Sequence, residues 1–323
     1  MNPIAIRLLS QQLICQQFTS PAELVAHMGA MQAQDYRMVR WAVEMRIKKP
    51  SIQEFRESFN AGEIIRLHLL RGTWQLVAVE DFWWMLDLCA PYAKRMLNGW
   101  MKANNVTIDD NELHLIRQIL IRVAEDKGNV TKDDFAEALS AKGIFMDSHR
   151  LTYHIRLAEL DGVLCSGNLS PMRSTFALAE KKVRRTSSME RDEMLMLLTR
   201  KYFQSHSPAT FDDFVWWTGM NVADCRRGIG LLSAELHQET WHGYTFYLHD
   251  SCRTKGFRKG ATLLLPPFDE YLIGYKSREL AIAPDHTPRA YNKNWNLLPG
   301  NGPRWHHLRQ LGTVEKATAN PLL

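Results

Sequence analysis

The sequence predicts an α+β fold of three successive units built on one plan, followed by a small β module at the C-terminus. Three observations predict it. Helix-start signals recur ahead of apolar stripes of helical period; two short β-prone runs trail each set of helices; and near residue 253 the helical patterning gives way to short apolar runs broken by proline.

In the first unit, residues 1–105, Ile4, Leu8, Leu9 and Leu13 form a helical stripe over Ile4 to Leu13. Ser20-Pro21-Ala22-Glu23 then opens a second helix, with serine as cap, proline at the first helical position and glutamate completing a capping box. That helix stops at Gly29. A third helix is expected over Tyr36 to Ile47, with Val39, Val43 and Ile47 on its apolar face and Arg37, Arg40 and Arg46 elsewhere on the cylinder. Ser51-Ile52-Gln53-Glu54 caps a further helix. The runs Glu63–Leu70 and Thr73–Val77 flank Arg71-Gly72, a hairpin signal in which Gly72 can take a positive φ. Asp81 to Met101 reads as a long aromatic helix.

This order of helix, capped helix, helix and hairpin is the plan of a winged helix, and it recurs. In residues 106–186 it runs through Asp110–Ala124, the cap Thr131-Lys132-Asp133-Asp134, Ser148–Leu160, and the runs Val163–Cys165 and Thr175–Leu178. In residues 187–252 it runs through Arg191–Phe203, the cap Ser207–Thr210, Val222–Leu236 and the hairpin Trp241–Leu248. Residues 253–323 hold two expected strands, Ala261–Leu265 and Phe268–Tyr275, and a tail of little periodicity. The tryptophans Trp83, Trp84, Trp216 and Trp217 are expected in the core, where large aromatics dominate the energetics.

With 45% hydrophobic and 23% charged residues, the chain of 323 has ample material for a core. Its five cysteines are scattered and never paired as CxxC, which argues against a disulfide framework or zinc knuckle. The histidines, His306-His307 included, lack ligand spacing, so no metal and no cofactor are expected. With no signal peptide and no membrane-length apolar run, the expectation is a cytoplasmic monomer without membrane contact.

The net charge of +5 permits a polyanionic partner. The basic clusters that would serve it are Lys181, Lys182, Arg184 and Arg185 in the linker 180–188, Arg226-Arg227, and Arg258-Lys259 beside Arg253 and Lys255. Arg37, Arg40 and Arg71 join them as candidate DNA contacts, although charge runs also suit a solvated connector.

The pair Gln32 and Gln34 carries the chemistry. Residues i and i+2 share a side only of an extended segment, so both amides converge if the backbone there is not helical. The bland alternative is that the segment caps the following helix, with Asp35 as its N-cap, and spacing alone favours it. Neutral amides do no acid–base work but can hold a water or a sugar by directed hydrogen bonds. Such groups suit loss of a base already cationic through ring alkylation, with Asp35 as supporting charge. Asp269-Glu270 could be a catalytic pair, though a charged turn between strands explains it equally.

Three segments extend this reading: Met31-Gln32-Ala33-Gln34-Asp35; Leu70 to Val77 followed by Glu80-Asp81; and Leu264 to Tyr275. Together they resemble a bacterial winged-helix family that contains alkylpurine DNA glycosylases able to unhook interstrand crosslinks. The resemblance runs from the first helix to about Arg278. It implies tandem winged helices with a β-barrel-like C-terminal part, no metal, double-stranded damaged DNA as partner, and Gln32 and Gln34 as catalytic residues of the glutamine-any-glutamine branch. Gln75 stands where the family usually has histidine, and the chain from Asn301 departs from the family's closing strand pair. The competing classes are a non-enzymatic winged-helix DNA-binding protein or transcriptional regulator, and a protein-interaction scaffold.

Overall fold

The computed structural model describes residues 2–256 and 262–282, apart from 172, 186 and 242. Local sequence sets the first helices. Asn2 accepts the backbone N–H groups of Ile4 and Ala5 and starts α1 (Pro3–Ser10). Ser20 accepts the N–H of Glu23 and, with Pro21 in the first turn, starts α2 (Pro21–Met28), which Gly29 ends at φ 74°. The chain then extends as β1 (Met31–Gln32) before α3 (Val39–Glu44). Val39, Val43 and Ile47 are buried as their spacing requires. The helix is shorter than expected, because Asp35 to Met38 form a turn instead. Arg46 is a correction: it is fully buried, matched by both carboxylate oxygens of Asp269 at 2.7 and 2.9 Å.

α4 (Ile52–Ala61) follows its Ser51 cap, then β2 (Ile64–His68), a tight turn at residues 70–72, and β3 (Trp74–Ala78). β3 lies between β1 and β2, antiparallel to both, with Gln32 opposite Gln75 and His68 opposite Trp74. This sheet is covered on both faces, so β2 is buried throughout rather than alternating, Arg66 and His68 included. Met31, Ile64, Leu76 and Ala78 pack with α2, α3 and α4; Ile65, Leu67 and Val77 enter the large central core. α5 (Phe82–Ala103) supplies much of that core through Trp83, Trp84, Met85 and Leu88. Full burial of each such side chain contributes about 1.5–3 kcal/mol.

The order then repeats. α6 (Asp110–Lys127), β4 (Val130–Thr131), α7 (Lys132–Ser140), α8 (Ser148–Leu160), β5 (Leu164–Ser166) and β6 (Thr175–Leu178) form a second sheet in the order β4-β6-β5. Thr131 and Asp134 make a reciprocal capping box at the start of α7. The expected linker begins as a single helical turn, α9 (Ala179–Lys182). The third pass is α10 (Arg191–His206), β7 (Ala209–Thr210), α11 (Phe211–Thr218), α12 (Val222–Leu231), β8 (Leu236–Trp241) and β9 (Tyr244–His249), with sheet order β7-β9-β8. Thr210 and Asp213 form another capping box.

Among the described residues the expected C-terminal β module does not form. The described part of 262–265 forms no strand, and the second apolar run contains α13 (Glu270–Ile273), capped by Asp269. No barrel forms among the described residues; the three sheets are small and open. Strand hydrophobicity was present, but Pro266-Pro267 cannot donate to a ladder, and Asp269 captures the N–H of Tyr271 to start a helix. Leu265, Tyr271, Leu272 and Ile273 instead pack against Ile4, Leu8 and Leu13. Arg258, Lys259 and the tail from 283, His306-His307 included, lie outside the described residues. Among the described residues no helix is long and apolar enough to cross a membrane.

Candidate active site

Gln32 and Gln34 occupy an extended segment, the condition under which both amides share a side, although their spacing alone favours a helix cap. Met31 and Ala33 point into the core while Gln32 is half-buried and Gln34 exposed, the alternation of a strand. The residue between them is held on both sides: the Ala33 N–H donates to the Trp74 carbonyl at 2.8 Å, and its carbonyl accepts Nε and Nη2 of Arg66 at 3.0 and 2.8 Å. The two glutamines therefore project from a clamped backbone.

Their environments differ. Gln32 Oε1 accepts from Arg71 Nη2 at 2.9 Å and Gln75 Nε2 at 3.4 Å, and lies 3.3 Å from Thr73 Oγ1, whose single hydrogen has the Leu70 carbonyl closer at 3.0 Å. Because a guanidinium only donates, the Gln32 atom facing it must be the carbonyl oxygen, which turns the NH2 group the other way. Gln34 makes no side-chain hydrogen bond among the described residues, so its amide is free at the surface. Asp35 is occupied: its Oδ1 accepts the N–H groups of Arg37 at 3.0 Å and Met38 at 3.3 Å. It thus caps the turn leading into α3.

Arg71 was expected at a hairpin tip as a candidate DNA contact. Its backbone does turn sharply, at φ 54°, but its side chain points inward. Nη1 donates to the carbonyls of Trp216, at 3.4 Å, and Trp217, at the C-terminal end of α11, where a cation complements the helix dipole. Burial lowers its pKa and the Glu270 carboxylate opposes that shift. Arg71 therefore ties Gln32 to the third repeat and is committed within the protein. Trp83, Trp84 and Trp217 are core residues as expected, but Trp216 is 38% exposed beside Arg71, its Nε1 donating to the Ile273 carbonyl at 3.0 Å.

Beneath this layer lies Glu270. Its Oε2 accepts the Gln32 N–H at 2.8 Å, and its Oε1 accepts Trp217 Nε1 at 2.7 Å and faces His206 Nε2 at 3.3 Å. Burial alone would raise the Glu270 pKa; the His206 hydrogen bond, the nearby positive charge and the Gln32 N–H outweigh it and hold the carboxyl below its usual range. Both Asp269 and Glu270 are buried, so neither is a charged turn between strands, and neither is placed to touch a substrate directly.

The remaining cations divide into two sets. Arg37, Arg40, Lys181, Arg184, Arg185 and Arg226 are exposed. Lys182 donates to the carbonyls of Ser166 and Gly167 at 3.1 and 2.9 Å, and Arg227 pairs with Asp192. Sequence reasoning missed Thr73; it had Gln75 only as standing where the family has histidine, Trp216 only as an expected core residue, and Glu270 only as half of a possible catalytic pair. The first two carried a usable signal, since Thr73 and Gln75 are spaced i, i+2 like the glutamines they face. The other two reach the site only through long-range packing. No group of three or more potential ligands gathers among the described residues, and all five thiols are free.

At their surface these residues offer amides, a hydroxyl and an aromatic edge, with the charged groups held beneath. That set can orient water and sugar oxygens but cannot exchange protons near neutral pH. Comparison with known proteins gives two matches. A family model described as AlkZ-like, DNA glycosylase AlkZ-like, matches residues 25–307. A solved structure of Streptomyces sahachiroi DNA glycosylase AlkZ superposes with a TM-score of 0.70 at 20% identity, covering 92% of this chain and 83% of that one. At that identity the likeness is one of fold. No curated protein sequence matches.

Proposed function

Since the chain belongs to the AlkZ-like DNA glycosylase family, we propose that it is a monofunctional DNA glycosylase removing purines alkylated at N7 or N3, with Gln32 and Gln34 as its catalytic pair. The observation that carries this reading is the fixed orientation of Gln32 beside a free Gln34. A purine alkylated at N7 is already cationic and leaves as a neutral base without being protonated. The sugar is left as an oxocarbenium ion, water adds at C1′, and its proton passes to solvent. No acid or base is required, only placement. Gln34, with its carbonyl free, accepts a hydrogen bond from the water and aims a lone pair at C1′. Gln32, with its carbonyl engaged, directs its N–H groups at an oxygen of the sugar or phosphate.

The repeated helix, strand, helix, helix, strand, strand order, with the same sheet order each time, supports reading the three units as winged helices that grip duplex DNA. The glutamine at position 34 supports placement in the glutamine-x-glutamine branch, and crosslink unhooking is included in the proposed activity. Exposed Arg37 and Arg40 are the phosphate contacts nearest the pair in sequence.

The test is base release from alkylated duplex DNA by the intact protein and by a Gln32→Ala, Gln34→Ala double variant. Release that the double variant loses supports the proposal. No release from any of several lesions, or equal release by both proteins, removes it; sequence-selective binding to undamaged DNA would then favour a regulator.

A further inference from the structure

β3 has a second face. Gln75 points toward Gln32, so its neighbour Trp74 points to the opposite side, where the first and second repeats meet. A cleft of about 450 Å³ opens there, walled by His68 and Trp74 and entered by Lys132, Asp133, Arg156 and Arg173. Its lining carries three cations against one carboxylate. Asp133 pairs with Arg173, which leaves Lys132 and Arg156 without a carboxylate partner among the described residues.

These two cations are held rather than loose. Lys132 Nζ lies 2.6 Å from the Ser148 carbonyl, 2.7 Å from Ser148 Oγ and 2.6 Å from Thr152 Oγ1, all neutral oxygens. Arg156 sits 5.5 Å over the Trp100 ring, and its buried Nε has no hydrogen-bond partner. Glu159, whose charge would favour Arg156, bonds His68 Nδ1 at 2.6 Å instead. The Arg156 Nη groups make no hydrogen bond to the described residues, so they are the donors an oxyanion in the cleft would meet, and its charge would offset the cost of burying the guanidinium. A nucleobase is a poorer occupant, because the Trp74 ring is already packed by Arg66 at 3.7 Å and His68 at 3.8 Å.

We propose that this cleft is a phosphate-binding site in which Arg156 donates to the phosphate oxygens and the Lys132 ammonium, its three hydrogens held by Ser148 and Thr152, supplies a second fixed positive charge, on the face of β3 opposite the glutamine pair. A phosphodiester of bound DNA and a free phosphate present the same chemistry. The DNA source rests on the glycosylase reading, whose own failure would show as absent base release, a separate measurement.

Lys132→Met and Arg156→Met, singly and together, are compared with the charge-keeping pair Lys132→Arg, Arg156→Lys. Affinity of the full chain for undamaged duplex is measured across salt, and binding of inorganic phosphate by calorimetry. If DNA supplies the phosphate, the slope of log affinity against log salt falls by about one to two in the double Met variant and is retained in the charge-keeping pair. If free phosphate is the ligand, the unmodified protein binds it, the Met variants do not, and the DNA slope is unchanged. An unchanged slope together with no phosphate binding by the unmodified protein overturns the proposal. The single variants keep the slope readable should the double variant fail to fold.

Discussion

The backbone N–H of Gln32 donates to Glu270 Oε2 at 2.8 Å, across 238 positions of sequence. The same carboxylate takes the indole N–H of Trp217 and faces His206, so one buried side chain joins β1, α10, α11 and α13 at the floor of the candidate site. Glu270 is thus a positioning residue for Gln32 and lies below the surface a substrate would meet.

Glu270→Gln should separate positioning from folding. An amide has one acceptor oxygen where the carboxylate has two, so a donor among Gln32 and Trp217 is left facing an NH2 group. The expected loss of stability is about 1–3 kcal/mol. Excision should fall by roughly tenfold or more, chiefly in kcat, because misplacing a positioned group costs rate more than binding. A melting curve and steady-state kinetics on one preparation check both; a fall confined to KM would contradict the positioning role.

Much of this was legible in the sequence, for physical reasons that differ by element. Ser20, Ser51, Thr131 and Thr210 announced their helices because capping is local, and Gly29 announced the stop before the glutamines. The i, i+2 spacing of Gln32 and Gln34 gave a shared side only on the condition of an extended backbone, and did not by itself separate that from a helix cap, a role that Asp35 does take before α3. Arg46, Arg71 and Glu270 were illegible, since whether a charge is buried depends on a partner far along the chain: Asp269 for Arg46, the α11 carbonyls for Arg71, the Gln32 N–H for Glu270. The C-terminal runs misled because strand-like hydrophobicity equally serves a segment that wraps a neighbouring helix.

Arg71→Lys tests the fork that joins Gln32 to α11. A guanidinium bonds Gln32 Oε1 with one nitrogen and the α11 carbonyls with another, whereas an ammonium is a point charge without that geometry. The charge is kept, so thermal stability should fall by only about 1 kcal/mol. Gln32 should lose its orientation, and single-turnover excision should drop about tenfold or more. Unchanged excision would detach Arg71 from the mechanism.

Acid should weaken the protein through Glu270. Its folded pKa lies below the ordinary 4.5, so the unfolded chain binds the proton more readily. The stabilisation is fully present above pH 4.5 and is lost as pH falls below that value through the folded pKa. Denaturant titrations through this range should show stability rising with pH, with a shallower slope in Glu270→Gln. An identical slope in the two proteins would assign the acid sensitivity to other carboxylates.

Gly162 tests how the first repeat docks on the second. It turns the chain between α8 and β5 at φ 70°, and a Cβ there would lie 2.8 Å from Trp83 Cζ3 and 3.2 Å from Leu86 Cδ2 of α5. Gly162→Ala combines an unfavourable left-handed backbone, costing about 1–2 kcal/mol, with overpacking, costing about 1–3 kcal/mol. Calorimetric melting should show the loss, and near-normal stability would mean that α5 yields at this contact.

Gln75→Leu should pull stability and activity apart. Gln75 is buried, its Nε2 donates to Thr73 Oγ1 at 2.8 Å and reaches Gln32 Oε1 at 3.4 Å, and its own Oε1 has no partner among the described residues. Leucine is close in volume and removes that unpaired carbonyl, a group whose burial is unfavourable, while Thr73 still donates to the Leu70 carbonyl. The melting temperature should therefore hold or rise. Gln32 loses the Gln75 donor but keeps Arg71, so excision should fall by about three- to tenfold, less than in Arg71→Lys. Single-turnover rates and melting curves of the two variants, measured side by side, decide the order. A larger loss from Gln75→Leu than from Arg71→Lys would make the amide, and not the guanidinium, the main anchor of Gln32.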